Sequence, residues 1–208
     1  MGRPKSPLID RDEAIATALT IIDKDGLDAF SIRRLGSELG VNGASLYYHF
    51  EDKDEILRGV RQLVLAEAGV LLPRSKTATW EDYVVRSVSR YRDALVRHPN
   101  AAPLMAPGVM PPTGLMRRDH LVTKMVEGGV PLQYCYAIID SVETLAFGSA
   151  LFNPQQLPPK ERYTPRDTAD VPQLRSAIRS APRTPERLFR LELQAVLEGW
   201  KALIAQAG

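Results

Sequence analysis

The sequence predicts an all-α chain, with a small N-terminal unit of short helices followed by a larger C-terminal helical bundle. Three observations carry that reading. Apolar residues recur at spacings of three and four, Ser, Thr and Asp stand where helix starts need caps, and no stretch alternates apolar and polar residues as a half-buried strand would. Composition agrees: of 208 residues, 44% are hydrophobic and 25% charged, the balance of a globular chain long enough to bury a core.

Asp10 with Glu13 has capping-box spacing, and Ile15, Ala18, Leu19 and Ile22 continue at helical intervals toward Gly26, which predicts a first helix over about 11–25. Ser31 caps a second, two-turn helix through Ile32, Leu35 and Leu39, stopped by Gly40 in a left-handed turn. The segment 43–50 is too short to be stable alone and depends on its neighbours. Asp52 and Glu55 then open a fourth helix, with Ile56, Leu57, Val60, Leu63 and Val64 on one side, reaching about Gly69.

A polar stretch interrupts the pattern before Thr79 caps a fifth helix, whose apolar face is Trp80, Tyr83, Val84, Val88, Tyr91 and Leu95 and which His98-Pro99 ends. Five prolines between 100 and 131 leave room for two shorter helices, near 100–106 and 113–127. The stretch 131–152 is apolar almost all round, so both of its faces must be covered. Seven prolines in the 32 positions 154–185 predict an extended loop with at most a short helix near 172–180. Thr184-Pro185 opens the last helix, where Phe189, Leu193, Val196, Trp200 and Leu203 form a packing seam. The expected division is a first domain over 1–53 and a second over 54–208.

Charge does not point to a function by itself. The formal net charge is +2, and the first 61 residues hold nine basic against eleven acidic side chains, a balance that argues against nucleic-acid binding unless placement outweighs it. The lone Cys135 cannot form an intramolecular disulfide and sits in an apolar stretch, as a small buried hydrophobe would. No apolar leader and no run of about 18 apolar residues is present, so the expectation is a cytoplasmic protein with no membrane span. An enzyme would have to be built from His98, Asp119, His120, Cys135 and Glu143, yet no HExxH, paired-cysteine or nucleophile-elbow spacing joins them. No catalytic set, metal site or cofactor is expected. A helical adaptor without DNA binding is the other alternative.

Placement favours DNA. Residues 31–50 have the length and punctuation of a helix-turn-helix: a short helix, a glycine-containing turn and a second short helix. Leu35, Leu39, Val41 and Leu46 form its small core, with Gly36 where the helices cross closely. That leaves Ser45, Tyr47, Tyr48 and His49 to meet phosphates or base edges. Ser31 and Arg33 reach the backbone from the start of the first helix, and Lys53 adds an ammonium to a helix N-terminus that already attracts phosphate. Arg3 and Lys5 form a basic arm for an adjacent minor groove.

The run FSIRRLGSELGVNGASLYYHFEDKDEIL, after an amphipathic helix ending in DGLDAF, resembles the N-terminal domain of the TetR family of transcriptional regulators. Gly26, the Ser31 cap, Leu35-Gly36, Leu39-Gly40-Val41, Leu46-Tyr47-Tyr48-His49-Phe50 and Lys53 carry the resemblance; Gly36 stands where the family commonly has alanine. The resemblance implies DNA contacts at Ser31, Arg33, Gly43, Ala44, Ser45, Tyr47, Tyr48, His49 and Lys53. Because Gly43 and Ala44 offer little side chain, base reading is expected to move toward Arg33, Tyr47 and the arm. It also implies a three-helix helix-turn-helix DNA-binding domain joined to a helical ligand-binding and dimerisation bundle, acting as a homodimer on pseudo-palindromic double-stranded operator DNA. Leu145, Phe189, Leu193, Val196 and Trp200 are the expected dimer contacts. Tyr83, Tyr91, His98, Met105, Met110, Met116, Tyr134 and Phe147 are the candidate walls of a pocket for a small, mostly apolar effector that releases a repressor from DNA.

Overall fold

The structure is a computed structural model that describes residues 9–69, 78–105 and 112–207. Among these residues every regular element is helical, as the capping and periodicity predict. In chain order they are α1 (Arg11–Asp25), α2 (Ile32–Glu38), α3 (Gly43–Leu46), α4 (Lys53–Ala68), α5 (Trp80–Arg97), α6 (Pro112–Glu127), α7 (Leu132–Leu151), α8 (Pro172–Ser180) and α9 (Pro185–Ala207). Among the described residues, no helix is long and apolar enough to cross a membrane. The stretch expected as a short helix near 100–106 is instead a 3-10 turn over Ala102–Met105, since Pro103 and the proline-rich sequence after it leave no run for α-helical bonding.

The caps explain the boundaries. Asp10 Oδ1 accepts from the Asp12 and Glu13 amides at 2.8 and 3.2 Å, and Gly26 ends α1 at φ +88°, where a side chain would be strained. Thr184 Oγ1 accepts from the Arg187 amide at 3.2 Å, with Pro185 as the first residue of α9. Each cap satisfies orphan amides that the helix start leaves unpaired.

The chain parts into two compact units. The first takes its described residues from 1–70 and 93–117, the second from 71–92 and 118–208. In the first, α1 packs on α4 and α2, and α2 on α3. Ala18, Ile22, Phe30, Leu35, Leu46, Phe50, Ile56 and Val60 are buried there, each large side chain contributing about 1.5–3 kcal/mol of transfer free energy. The expected division after residue 53 therefore falls inside this unit, because α4 lays Ile56, Val60 and Val64 into the same core as α1.

In the second unit α7 packs along α9. Cys135, Ile138, Ile139 and Val142 of α7 and Phe189, Leu193 and Leu197 of α9 are buried. Burial pushes the Cys135 thiol up, and its Sγ is 3.7 Å from the Pro131 carbonyl. The proline-rich stretch does form the short helix α8, which contacts a 3-10 turn at Pro159–Glu161. Arg92 is buried, donating to Ser149 Oγ at 2.8 Å and to Gln156, with its guanidinium 5.1 Å from the Phe189 ring centre. Such burial of a charge demands this many partners.

Candidate nucleic-acid interface

α2 and α3 are short, and their mutual position is set by backbone rather than by large side chains. Ser31 Oγ accepts from the Arg34 amide at 3.2 Å to start α2. Gly40, at φ +67°, turns the chain, and Asn42 Oδ1 accepts from the Ala44 amide at 3.0 Å to start α3. Gly36 is buried at the crossing: a Cβ there would lie 2.9 Å from the Gly43 nitrogen and 3.0 Å from the Val41 carbonyl oxygen. Alanine does not fit without moving α3. A Cβ on Gly43 would meet its nearest atoms at 3.5 Å, which is ordinary contact.

With Leu46 and Phe50 buried beneath, the outer face of the α3 segment presents Ala44, Tyr47 and Tyr48, the two tyrosines 59% and 90% exposed. Gly43, Ser45 and His49 are half-buried beside them, and Ser31 is exposed at the start of α2. Large aromatic side chains left this open in a small core are available for contact.

The two arginines of α2 differ. Arg34 donates to Glu38 at 2.9 Å and to Asp25 at 3.2 Å, whereas Arg33 is exposed and makes no ion pair among the described residues. Asp25 and Glu38, two of the acidic side chains that weigh against DNA binding, are thereby held by Arg34. Lys53, the first residue of α4, is exposed with its ammonium 5.5 Å from the Phe30 ring centre. Arg33, Lys53 and the phenols thus supply phosphate-seeking and base-seeking groups on one small helical unit.

Two residues that the sequence reading passed over hold this unit in place. Asn42 caps α3; an Asn directly before the glycine of a short helix was the available signal. Arg11 of α1 donates to Glu55 of α4, and its guanidinium sits 4.4 Å from the Phe50 ring centre. Glu55 also accepts from the Glu51 amide, one residue before the cap, while Asp52 Oδ1 accepts from the Glu55 amide at 2.6 Å. The Glu51 amide and the Arg11 guanidinium hold the Glu55 carboxyl below its usual range.

The remaining expected site residues scatter. Arg3, Lys5 and Met110 lie outside the described residues. Tyr91 is buried, while Tyr83, Met105, Tyr134 and Phe147 are half-buried. Tyr83 stands 6.3 Å from the His120 ring, with the Lys124 ammonium 5.5 Å from its own ring centre. Tyr134 stands 6.4 Å from Trp200. Met116 is 67% exposed, so it lines no enclosed wall within the described residues. His98 is a further correction, because both of its ring nitrogens face carboxylates of the first unit.

Of the expected dimer contacts, two are buried within the chain itself. Phe189 and Leu193 are buried by their own chain, on the helix that packs along α7, with the Arg92 guanidinium over the Phe189 ring. Trp200 is half-buried and donates from Nε1 to Ser141 Oγ at 3.0 Å, and Leu145 and Val196 are half-buried as well. Exposed on α9 are Leu191, Ala195, Gly199, Ala202 and Leu203, interspersed with Arg187, Arg190, Glu198 and Lys201.

Residues 14–60 match the family described as "Bacterial regulatory proteins, tetR family". The chain is similar to the tetracycline repressor protein class E of Escherichia coli, 23% identical over 192 residues that cover 92% of this chain and 90% of that one. It is 28% identical over 148 residues to an HTH-type transcriptional regulator of Saccharopolyspora erythraea, covering 71% of this chain and 58% of that relative's length. Among solved structures it resembles the TetR family protein ActR of Streptomyces coelicolor in complex with actinorhodin. The TM-score is 0.77 at 26% identity, covering 98% of this chain and all of that one.

Proposed function

This chain belongs to the tetR family of bacterial regulatory proteins, and from that premise we propose that it is a homodimeric repressor released from a pseudo-palindromic operator by a small, mostly apolar effector. The observation that carries the DNA-binding part is the combination on one helical unit of exposed Tyr47 and Tyr48 with Arg33 and Lys53, neither of which pairs with an acidic side chain among the described residues. In this reading Lys53, Ser31 and Arg33 fix the register on phosphates. Tyr47, with Tyr48, Ser45 and His49 beside it, reads base edges and thymine methyls, and Gly43 and Ala44 let the backbone come close. Arg3 and Lys5 extend the contact into a minor groove.

Effector control is supported by the similarity to proteins named for tetracycline repression and for a complex with actinorhodin. Residues 1–53 are read as the DNA-contacting part and 54–208 as the effector and dimer part, with α4 shared in function. Tyr83 beside His120 offers an aromatic wall with a polar anchor, since His120 Nε2 is buried with no hydrogen-bond partner within the described residues. Two-fold pairing through α7 and α9 would set two reading heads about 34 Å apart, one turn of DNA.

Selection of bound fragments from genomic DNA with the purified chain tests the proposal. The expected result is recovery of a few fragments sharing an inverted repeat, bound with a steep salt dependence. Uniform recovery of all fragments, or of none, would overturn it.

A further inference from the structure

The turn that ends α5 is tied to two helices of the first unit by charged side chains that the proposed DNA contact does not use. His98 follows the last residue of α5, and its side chain is 14% exposed. Its Nδ1 lies 2.7 Å from Asp23 Oδ2 in the last turn of α1, and its Nε2 lies 3.2 Å from both carboxylate oxygens of Glu67 in the last turn of α4. Arg97 donates to the same Glu67 from Nε at 3.1 Å and from Nη2 at 2.8 Å. Asn100 Nδ2 donates to the Asp23 carbonyl at 2.9 Å, and Arg61 Nε of α4 to the Leu104 carbonyl at 2.7 Å. Three segments far apart in sequence therefore meet at one ring.

A neutral imidazole carries a single N–H, so it can donate to only one of two carboxylates and must turn a lone pair toward the other. The imidazolium donates to both. Burial alone would push the Glu67 carboxyl up, but the hydrogen bonds from Arg97 and His98 outweigh it and hold the group below its usual range. A carboxylate thus faces each ring nitrogen, an arrangement that only the doubly donating ring can satisfy in full, with Arg97 the other cation facing the cluster.

We propose that His98 is a positioning residue for operator binding: its imidazolium joins the C-terminal ends of α1 and α4 to the 98–105 turn, so that turn and reading helices shift as one body. The role rests on the operator-binding reading above. α1 packs on α2, which carries Arg33, and α4 begins at Lys53, so both sides of the proposed DNA surface belong to helices held by this ring. Loss of the ring proton frees one of the two helices and lowers operator affinity.

The test uses the full chain and its His98→Gln variant, which keeps an N–H donor but cannot take up a proton. Ring-nitrogen NMR of the wild type is expected to show protons on both His98 nitrogens at the acid end of a profile from about pH 5 to pH 8. Over that range, hydrogen exchange corrected for its intrinsic pH dependence is expected to show the last-turn amides of α1 and α4 losing about fivefold protection in the wild type and little in the variant. On a fragment recovered by genomic selection, wild-type affinity should fall about fivefold more than the variant's as pH rises, His49 contributing equally to both profiles. A ring that stays neutral at the acid end, or parallel wild-type and variant profiles, overturns the proposal and leaves His98 a plain packing contact. Should His98→Gln fail to fold, Asp23→Asn is expected to flatten the exchange profile at α1 alone, and an unchanged profile overturns the proposal equally. Recovery of no DNA fragment would refute the operator reading and with it the positioning role, while the ring spectrum and exchange still decide whether the ring proton joins the helices.

Discussion

Arg33 and Arg34 are adjacent and chemically alike, yet Arg34 is held between Asp25 and Glu38 while Arg33 is left open to a ligand. Lys53→Ala is expected to weaken binding to all DNA alike and to reduce the salt slope by about one, measured by titrating a recovered fragment at several salt concentrations. Tyr47→Ala should instead relax sequence preference, seen when selection is repeated with the variant. Gly36 and Gly43 separate packing from space. Gly36→Ala forces the α3 backbone aside and is expected to cost about 1–3 kcal/mol in denaturant unfolding, while Gly43→Ala, with 3.5 Å of clearance, should leave stability nearly unchanged. Equal losses at the two glycines would show that the crossing is looser than described. That two helices cross at Gly36 was legible in the sequence; the absence of room for even a methyl group was not, because it depends on where the Gly43 backbone lies.

A helix as short as α3 has no independent stability, so its cap and its buried residues must hold it. Asn42→Ala is expected to lower unfolding free energy by about 1 kcal/mol in thermal or denaturant melts. The start of α4 adds a pH dependence through Glu55, whose folded carboxyl is held below its unfolded value by the Glu51 amide and Arg11. Its contribution is fully present above the unfolded carboxylate range and disappears as pH falls through the lowered folded value. Glu55→Gln should therefore be less stable than wild type at neutral pH, with the difference vanishing in acid; a difference that persists below pH 3 or so would point to packing rather than charge. The helices themselves were legible from caps and periodicity, even the short α8. The direction of the α9 stripe was not, because a run of Phe189, Leu193 and Trp200 is equally suited to its own α7 or to a second copy.

At the scale of the molecule, the proposed dimer has to use what the chain leaves outside. Leu191 and Leu203 are exposed on α9, whereas Phe189 and Leu193 are buried. Leu191→Glu is expected to yield monomer by sedimentation at micromolar concentration with the helical spectrum retained, since a buried unpaired charge disfavours an apolar interface. Phe189→Ala should instead unfold the chain more easily, by about 3–5 kcal/mol in denaturant, without first changing the association state. If the two variants behaved alike, the division of α9 into an inward and an outward face would be wrong.

The sequence by itself determined the helical class, most helix starts and stops, and a helix-turn-helix between Ser31 and Phe50, because caps, glycines and apolar spacing act over a few residues. Only the tertiary structure decided what those helices present to the outside. Pairing of Arg34 with Asp25 and Glu38, burial of Phe189 beside the Arg92 guanidinium, and the meeting of Asp23, Glu67 and His98 at one ring join residues remote in sequence or leave one of two equivalent neighbours unpaired. Local propensity is blind to such choices, since each is settled by which surface arrives next to a side chain once the core has packed.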